Sequence, residues 1–352
     1  MAVFALAAWH HGEHPLALLG RSWDSRWYLR IAAHGYGAVE HPGPGVVHDD
    51  LAFFPLYPAL VRAVRLLFPL GGGAAGLVVA WSAAAVAAAG IHAVGARLYG
   101  RAVGTALAVL WGLLPHSVVL SMGYSESLLT ACAAWSLYAV LTGRWVWAGA
   151  LAALAGLSRP NGFAVAAAVL AAAGAAVWRG RGRVSPRLWT GAALAPLGWA
   201  GYVLWVGRRT GDPLRGYLRL QRLWGSRFDF GVGALRFVKH LLLQREAFLF
   251  FGALVLVAAG VLLYALLLLD RAPLALAVYS GVLLAVACGG SGFFQCKPRF
   301  LLPAFPLLLP LARALVRTAR ARPWHAAVTA CALAGLSFAY GAYLLAITRT
   351  PL

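Results

Sequence analysis

The chain has 352 residues, of which 62% are hydrophobic and 11% are charged, and its formal net charge is +20. So few charged residues exclude an ordinary water-soluble enzyme and indicate a membrane protein built from helices. The basic residues are 28 arginines and two lysines placed between apolar runs, which argues against a nucleic-acid-binding face and for contacts at the membrane surface.

Apolar runs separated by short connectors predict an all-α, polytopic membrane protein with about 10–11 transmembrane helices, folded as one domain over residues 1–352. An α-helix needs about 20 residues to cross the hydrocarbon core, and ten runs approach that length. The predicted spans are 77–96, 103–121, 127–142, 146–158, 162–178, 189–206, 247–269, 273–288, 300–316 and 325–346.

The region before residue 20 is short for a membrane span. Only about nine clean apolar residues precede the polar group His10, His11, Glu13 and His14. No basic segment typical of a cleavable signal peptide stands ahead of them. We expect either a short first helix or a chain that lacks part of its natural amino terminus, and we favour the second interpretation.

The connectors predict the orientation of the chain. Arginines accumulate on alternate connectors, which is the pattern of the cytoplasmic side. The other connectors then face outward, with 20–76 as the first extracytoplasmic loop and 207–246 as the second long one. We therefore expect a multi-pass protein of the cell membrane. The remaining outer connectors are 123–126, 158–162 and 289–299, and the arginine-bearing ones lie around 97–101, 144, 179–187, 271 and 313–322.

Four of the ten acids of the chain lie in the first outer loop. One of them, Asp24, belongs to the segment Trp-Asp-Ser-Arg-Trp-Tyr at 23–28. In a helix, Asp24, Trp27 and Tyr28 share one side, as in an amphipathic helix that lies in the membrane interface. Asp24 is then either a functional carboxylate or the capping acid of an anchoring helix.

His48, Asp49 and Asp50 form a second polar group in the same loop. Two adjacent carboxylates can bind a divalent cation or divide base and ligand roles between them, and adjacent acids in loops are also commonly just solvated. A divalent cation at Asp49 and Asp50 is therefore left open. The four cysteines form no CxxC or Cys/His motif that would indicate another metal site.

Charged residues also mark the shorter outer connectors. Glu126 lies at the mouth of a span, where an ionisable residue is either functional or a helix-start acid. Arg159 precedes a Pro-Asn-Gly turn on the side that the charge rule disfavours, and its guanidinium suits a phosphate. Lys297 and Arg299 add two cations, although each of these three basic residues could instead be a snorkelling side chain.

Acids and cations that face one compartment at the interface suit group transfer from a lipid-linked anionic donor. A carboxylate would act as the base on an acceptor hydroxyl, and cations would stabilise the departing phosphate. Segment 211–230 alternates leucines and aromatic residues with arginines, which predicts an interfacial amphipathic helix beside them.

Six motifs follow one another between residue 23 and about residue 316: WDSRWYLRIAAHGYG, FFPLYP, GYSESLL, SRPNG, GDPLRGYLRLQRLWG and KPRFLLPAFPLLLPLA. In this order they resemble the PIG-V family of membrane mannosyltransferases, which includes the second mannosyltransferase of glycosylphosphatidylinositol assembly. The resemblance implies the C-type glycosyltransferase architecture. It also implies inverting transfer of mannose from a polyprenyl-phosphate-mannose donor to an extracytoplasmic glycolipid, glycan or protein. By position, Asp24 matches the catalytic acid that such enzymes place in their first outer loop.

These patterns and the resemblance together define a predicted site. A transporter or flippase of lipid-linked precursors, or an inactive relative of the family, are the alternatives. The expected partners are a polyprenyl-phosphate-linked sugar and the lipid bilayer, without nucleic acid. The predicted residues are Asp24, Asp49 and Asp50 for catalysis, Arg159, Lys297 and Arg299 for the donor phosphate, and Trp23, Arg26, Trp27, Tyr28, His48, Tyr57, Glu126 and Asn161 for the rest of the substrate site.

Overall fold

The computed structural model describes residues 14–43, 46–244 and 247–344. The predicted short or incomplete first helix concerns residues 1–13, which lie outside the described residues. Within the described part, helices dominate and the two sheets are small. The predicted helical membrane fold is therefore confirmed.

The amino-terminal half begins with short helices and a hairpin and continues with long apolar helices. Its elements are α1 (Pro15–Arg21), α2 (Asp24–His34), β1 (Val39–Gly43), β2 (Val46–Asp49), α3 (Leu56–Leu67), α4 (Gly72–Tyr99), α5 (Arg101–Gly112), α6 (Glu126–Leu141), α7 (Trp145–Ser158) and α8 (Phe163–Arg179).

The carboxy-terminal half alternates shorter amphipathic helices with apolar ones. Its elements are α9 (Pro186–Leu194), α10 (Leu197–Arg209), α11 (Gly216–Leu223), β3 (Arg227–Phe228), α12 (Val232–Leu243), α13 (Phe248–Leu269), α14 (Leu274–Gly289), β4 (Gly290–Ser291), α15 (Lys297–Leu301), α16 (Leu309–Ala321) and α17 (Pro323–Ala342).

Helix is found in each of the ten predicted spans, but many of these helices are short. Among the described residues, four helices are long and apolar enough to cross a membrane, or five if the bent pair 294–301 and 305–321 counts as one span. The four are α4, the segment Pro160–Arg179, α13 and α17. The apolar helices α5, α6, α7 and α14 have only 10–17 residues, so the predicted count of about 10–11 full spans exceeds what helix length alone supports.

Two predicted spans are interrupted. The run 189–206 divides into α9 and α10 at Pro196, because proline cannot donate the backbone hydrogen bond that would continue the helix. The run 300–316 bends by 77° between α15 and α16, where two prolines, Pro303 and Pro306, lie close together. Interruptions of this kind need partners for the freed backbone groups, and Tyr279 supplies one by donating to the carbonyl of Pro303 at 3.0 Å.

Small residues bring the helices close together. A Cβ added to Gly90 of α4 would lie 2.9 Å from the Cβ of Ala134 on α6, and one added to Gly149 of α7 would lie 2.1 Å from the carbonyl oxygen of Gly191 on α9. No side chain larger than hydrogen fits at such distances. In a bilayer, packing of this type drives helix association.

The two long loops, 20–76 and 207–246, contact each other and the helices between them. β1 and β2 form an antiparallel hairpin in which Glu40 faces His48. β3 pairs antiparallel with β4, so the second loop is tied to the segment that precedes α15. Tyr202 of α10 donates to the carbonyl of Phe53 at 2.7 Å, which fixes the first loop against the helix that leads into the second.

Candidate active site

Four charged side chains, from four connectors that the sequence predicts to face outward, meet in one network. Arg299 donates through Nη2 to the carboxylate of Asp24 and through Nε to the carboxylate of Glu126. The other carboxylate oxygen of Glu126 lies 2.7 Å from Nη1 of Arg159. Arg159 Nη1 also donates to the hydroxyl of Ser125 at 3.2 Å, and the hydroxyls of Ser125 and Tyr28 lie 2.6 Å apart.

The members of this network differ in their access to solvent. The side chains of Glu126, Arg299 and Arg159 are only 1%, 5% and 8% exposed, whereas that of Asp24 is 26% exposed. Buried charges of this kind persist only when they are paired and hydrogen-bonded. Asp24 is thus the member of the charged network that a substrate outside the helices can reach most readily.

Local structure places Asp24 at the start of α2. The preceding residue, Trp23, has φ 45° and ψ −114° and is the N-cap residue, without a side-chain capping bond. This backbone conformation is unfavourable for a non-glycine residue, and such conformations cluster at functional sites. Asp24 is in the first turn rather than at the cap, so it contributes at most a charge–dipole interaction to the helix.

The remaining network residues lie where helices begin or end. Glu126 is the first residue of α6. Arg159 follows the last residue of α7 in extended conformation and precedes the turn Pro160–Gly162. Trp199 of α10 donates to the carbonyl of Pro160 at 2.8 Å, so a neighbouring helix also fixes this turn.

Lys297 is engaged differently from Arg159 and Arg299. Its ammonium donates to the carbonyls of Ala287 and Gly290 at 2.6 and 2.7 Å. These are carbonyls at the end of α14, and a cation there is favourable for the helix. This placement favours a structural role for Lys297, and its predicted contact with a donor phosphate stays a prediction.

The predicted aromatic residues of the first loop pack together beneath the network. The rings of Tyr28 and Tyr57 are 4.8 Å apart, and those of Tyr28 and Phe53 are 5.1 Å apart. Tyr57 is fully buried and donates to the carbonyl of Gly76 at 2.8 Å. Burial raises the pKa of Tyr28 to about 12, so its hydroxyl stays protonated and holds Ser125 in place.

His48, Asp49 and Asp50 each have contacts of their own, and the ion pairs of the network do not include them. Asp50 is fully buried, and its carboxylate accepts from the backbone amides of Gly37 and Ala38. Asp49 accepts from the amide of Leu51 at 2.8 Å. Burial raises the pKa of Asp49, and the Leu51 amide opposes that shift. Asp50 therefore organises the loop, whereas Asp49 is half-buried.

His48 stacks on Trp224 of the second loop, with ring centroids 4.0 Å apart and planes within 12°. Trp224 also donates from its indole nitrogen to the carbonyl of Asp49 at 3.1 Å and meets Trp27 edge-on at 5.4 Å. Trp224 is not among the residues that the sequence predicts for the site. The arginine–leucine alternation around it indicated only a helix in the interface.

The other predicted substrate-site residues border the network. Trp23 is half-buried and Arg26 is exposed. Asn161 is buried, and its side-chain oxygen has no hydrogen-bond partner within the described residues; the same holds for the buried hydroxyl of Ser25. Buried polar atoms without protein partners are usually satisfied by water or a ligand. Ser25 adjoins Asp24 in the chain, and Asn161 is two positions from Arg159, so both atoms border the network.

The proposed divalent-cation site at Asp49 and Asp50 does not fit these contacts. Asp50 directs both carboxylate oxygens at backbone amides, whereas a cation needs them free. Asp24 is paired with Arg299. Within residues 14–43, 46–244 and 247–344, no group of three His, Cys, Asp or Glu side chains could hold a metal ion.

An apolar groove of about 100 Å³ lies beside the network, between α13 and the bent pair of α15 and α16. Leu256, Leu263 and Leu301 contribute to its walls, and Pro298 places it next to Arg299. His116 also lines the groove, and both of its ring nitrogens are buried without a hydrogen-bond partner within the described chain. A groove of this volume accommodates a segment of an apolar chain rather than a whole ligand.

Comparisons with known proteins give a fold but no family. No family model matches the sequence, and no curated protein matches it by sequence. The apo oligosaccharyltransferase of Archaeoglobus fulgidus is similar in structure, with a TM-score of 0.54 at 14% identity. The similarity covers 100% of this chain and 56% of that one, so this chain spans little more than half the length of the oligosaccharyltransferase.

Two further structures of the same archaeal oligosaccharyltransferase are similar. The complex with zinc and sulfate has a TM-score of 0.53 at 15% identity and covers 99% of this chain and 54% of that one. The complex of AglB with an inhibitory peptide and a dolichol-phosphate has a TM-score of 0.52 at 15% identity. The similarity covers 100% of this chain and 56% of that one. These similarities show that the chain shares the fold of the corresponding part of this archaeal oligosaccharyltransferase.

Proposed function

We propose that this chain is an inverting membrane glycosyltransferase that moves mannose from a polyprenyl-phosphate-mannose donor to an extracytoplasmic acceptor. The observation that carries the proposal is the network of Asp24, Arg299, Glu126 and Arg159. It brings a solvent-accessible carboxylate against buried guanidinium groups at one end of the helices. A base beside cations is what glycosyl transfer from a sugar phosphate needs.

In the proposed reaction, Asp24 takes the proton of an acceptor hydroxyl. The hydroxyl oxygen attacks the anomeric carbon from the face opposite the phosphate. The bond between that carbon and the phosphate oxygen breaks, and its electron pair leaves with the polyprenyl phosphate. The anomeric configuration inverts, and the proton ends on Asp24. Direct displacement needs one base and no covalent intermediate on the enzyme.

The donor site is proposed from the cations and the groove. Arg299 and Arg159 offer guanidinium groups to the phosphate. The groove beside Pro298 offers apolar walls to the part of the polyprenyl chain nearest the phosphate. The archaeal oligosaccharyltransferase of the same fold has been captured with a dolichol-phosphate, which supports a lipid phosphate as the donor class here.

The mannose and the family are proposed from the motifs. The six segments that resemble the PIG-V family include the connectors that supply Asp24, Glu126, Arg159 and Arg299. In this chain the motifs therefore coincide with the contacts of the network. Their coincidence supports membership in that family and an outward-facing site in the cell membrane.

The test is transfer by membranes that contain the protein. Membranes are incubated with radiolabelled polyprenyl-phosphate-mannose, and the label is followed into lipid and protein fractions. Membranes with the Asp24→Asn variant provide the matched control. We expect label transfer that depends on Asp24. If label is transferred only from a different polyprenyl-phosphate sugar, the proposal of mannose is wrong. If label is transferred from no lipid-phosphate sugar, the proposed donor class is wrong.

A further inference from the structure

Each charged side chain of the network pairs with an opposite charge of the same network. The network holds two guanidinium groups, Arg159 and Arg299, and two carboxylates, Asp24 and Glu126, so its formal charges cancel. Glu126 bridges the two arginines, and Arg299 bridges the two carboxylates. In this arrangement the guanidinium of Arg299 already has anionic partners on two sides. One planar face of this guanidinium is also covered by the ring of Tyr124, whose centroid lies 4.5 Å from Cζ of Arg299.

A donor phosphate that pairs with Nε or Nη2 of Arg299 therefore competes with the carboxylate that already accepts from that nitrogen. The two candidates differ in burial. Glu126 is 1% exposed and is also paired with Arg159, so removing it would leave an isolated charge in a buried site. Asp24 is 26% exposed and has Arg299 as its ion-pair partner, so its carboxylate can turn toward solvent without losing hydration.

We infer that the donor phosphate replaces Asp24 on Arg299, and that this exchange releases the carboxylate to act as the base. The inference rests on the proposed function, because it requires a lipid-linked sugar phosphate as substrate. A phosphodiester carries one negative charge, as does the carboxylate that it replaces. The exchange therefore leaves the charge around Arg299 unchanged while Glu126 and Arg159 remain in place.

The exchange also orders the reaction. Without donor, Arg299 holds Asp24 and the carboxylate is not directed at an acceptor. With donor bound, the same guanidinium is on the phosphate, and Asp24 is free next to the sugar. After transfer, the proton of the acceptor is on Asp24 and the polyprenyl phosphate carries the additional negative charge. Loss of the proton from Asp24 restores its ability to compete for Arg299 and favours product release.

The inference predicts that removing the charge of Asp24 tightens binding of a lipid phosphate. The probe is undecaprenyl phosphate, titrated into the detergent-purified wild type, Asp24→Asn and Asp24→Glu. An asparagine competes only weakly for a guanidinium, so Kd should fall about 10- to 100-fold in Asp24→Asn, the scale of a charge-assisted hydrogen bond. Asp24→Glu keeps the competing charge and should remain near the wild type.

Glu40→Gln is the matched control for the loss of charge alone. It removes one negative charge from the same loop, but Glu40 pairs with Arg30 and not with Arg299. Its Kd should stay within about twofold of the wild type. Thermal melting with and without undecaprenyl phosphate reports on folding of each variant, and ligand should raise the melting temperature of Asp24→Asn more than that of the wild type.

The outcomes separate the exchange from the donor assignment. Equal or weaker binding by Asp24→Asn, with the wild type binding normally, overturns the exchange and leaves the donor class standing. Equal tightening by Glu40→Gln overturns it as well, because general electrostatics would then account for the effect. Absence of binding by every folded sample overturns the donor class and the exchange together.

Discussion

Replacing Asp24 by asparagine tests the base directly. Asparagine keeps the size of the side chain and an oxygen that can accept from Arg299, but it cannot take a proton from the acceptor. The helix should tolerate the change. Asp24 is in the first turn of α2 and makes no capping bond there, so the lost charge–dipole interaction is worth about 0.3–1 kcal/mol.

The expected loss of activity is much larger than that structural term. Removing a general base reduces turnover by about 10²- to 10⁴-fold, which corresponds to about 3–5 kcal/mol in activation free energy. A structural contribution of 1 kcal/mol or less cannot produce such a decrease. The size of the decrease in turnover therefore distinguishes a catalytic role of Asp24 from a role in anchoring the helix.

The assay is single-turnover transfer by purified protein at saturating polyprenyl-phosphate-mannose, with thermal melting as the measure of folding. At a saturating donor concentration the measured turnover does not depend on donor affinity. The tighter donor binding expected for Asp24→Asn therefore does not affect the result. Near-normal turnover by folded Asp24→Asn would refute the assignment. The base would then be sought at Asp49, because the carboxylate of Asp50 is occupied by the amides of Gly37 and Ala38.

Three further predictions concern the buried pairs and the topology. Glu126→Gln should destabilise the protein by about 3–5 kcal/mol, because two buried arginines lose their shared carboxylate; an unchanged denaturation midpoint would argue against that pairing. Arg159→Ala should also destabilise, and the double variant with Glu126→Gln should lose less than the sum of the single losses; strict additivity in equilibrium unfolding would mean that the two side chains do not interact. A cysteine at Arg26, which is exposed in the same loop as Asp24, should react with a membrane-impermeant maleimide in intact cells, whereas one at Gly182, which is also exposed, should not; the reverse pattern would invert the proposed orientation.

The sequence by itself determined the class of the protein and most of the residues of the network. Carboxylates are scarce in a chain with ten acids among 352 residues, and burying an ionisable group in or beside a membrane is unfavourable unless it has a function or a partner. That scarcity drew attention to Asp24 and Glu126. The charge rule drew attention to Arg159, because it assigns this residue to the side where arginines are disfavoured.

Only the tertiary structure decided which charges pair. Asp24 and Arg299 are 275 positions apart, and Glu126 and Arg299 are 173 apart, distances at which no local pattern operates. The sequence predicted that Arg159 and Arg299 bind the donor phosphate, whereas in the structure both form ion pairs with carboxylates. Asp49 and Asp50 looked equivalent as neighbours, yet Asp50 is buried against two backbone amides while Asp49 is half-buried.

The same division holds for the helices and the outer loops. Hydrophobicity located the helices, because each must present apolar surface to lipid or to other helices. It did not locate the bend of 77° between α15 and α16 that presents Arg299 to the network. It also gave no signal that Trp224 would stack on His48 across 176 positions of sequence. These features follow from long-range packing, in which each side chain takes its partner from a distant segment of the chain.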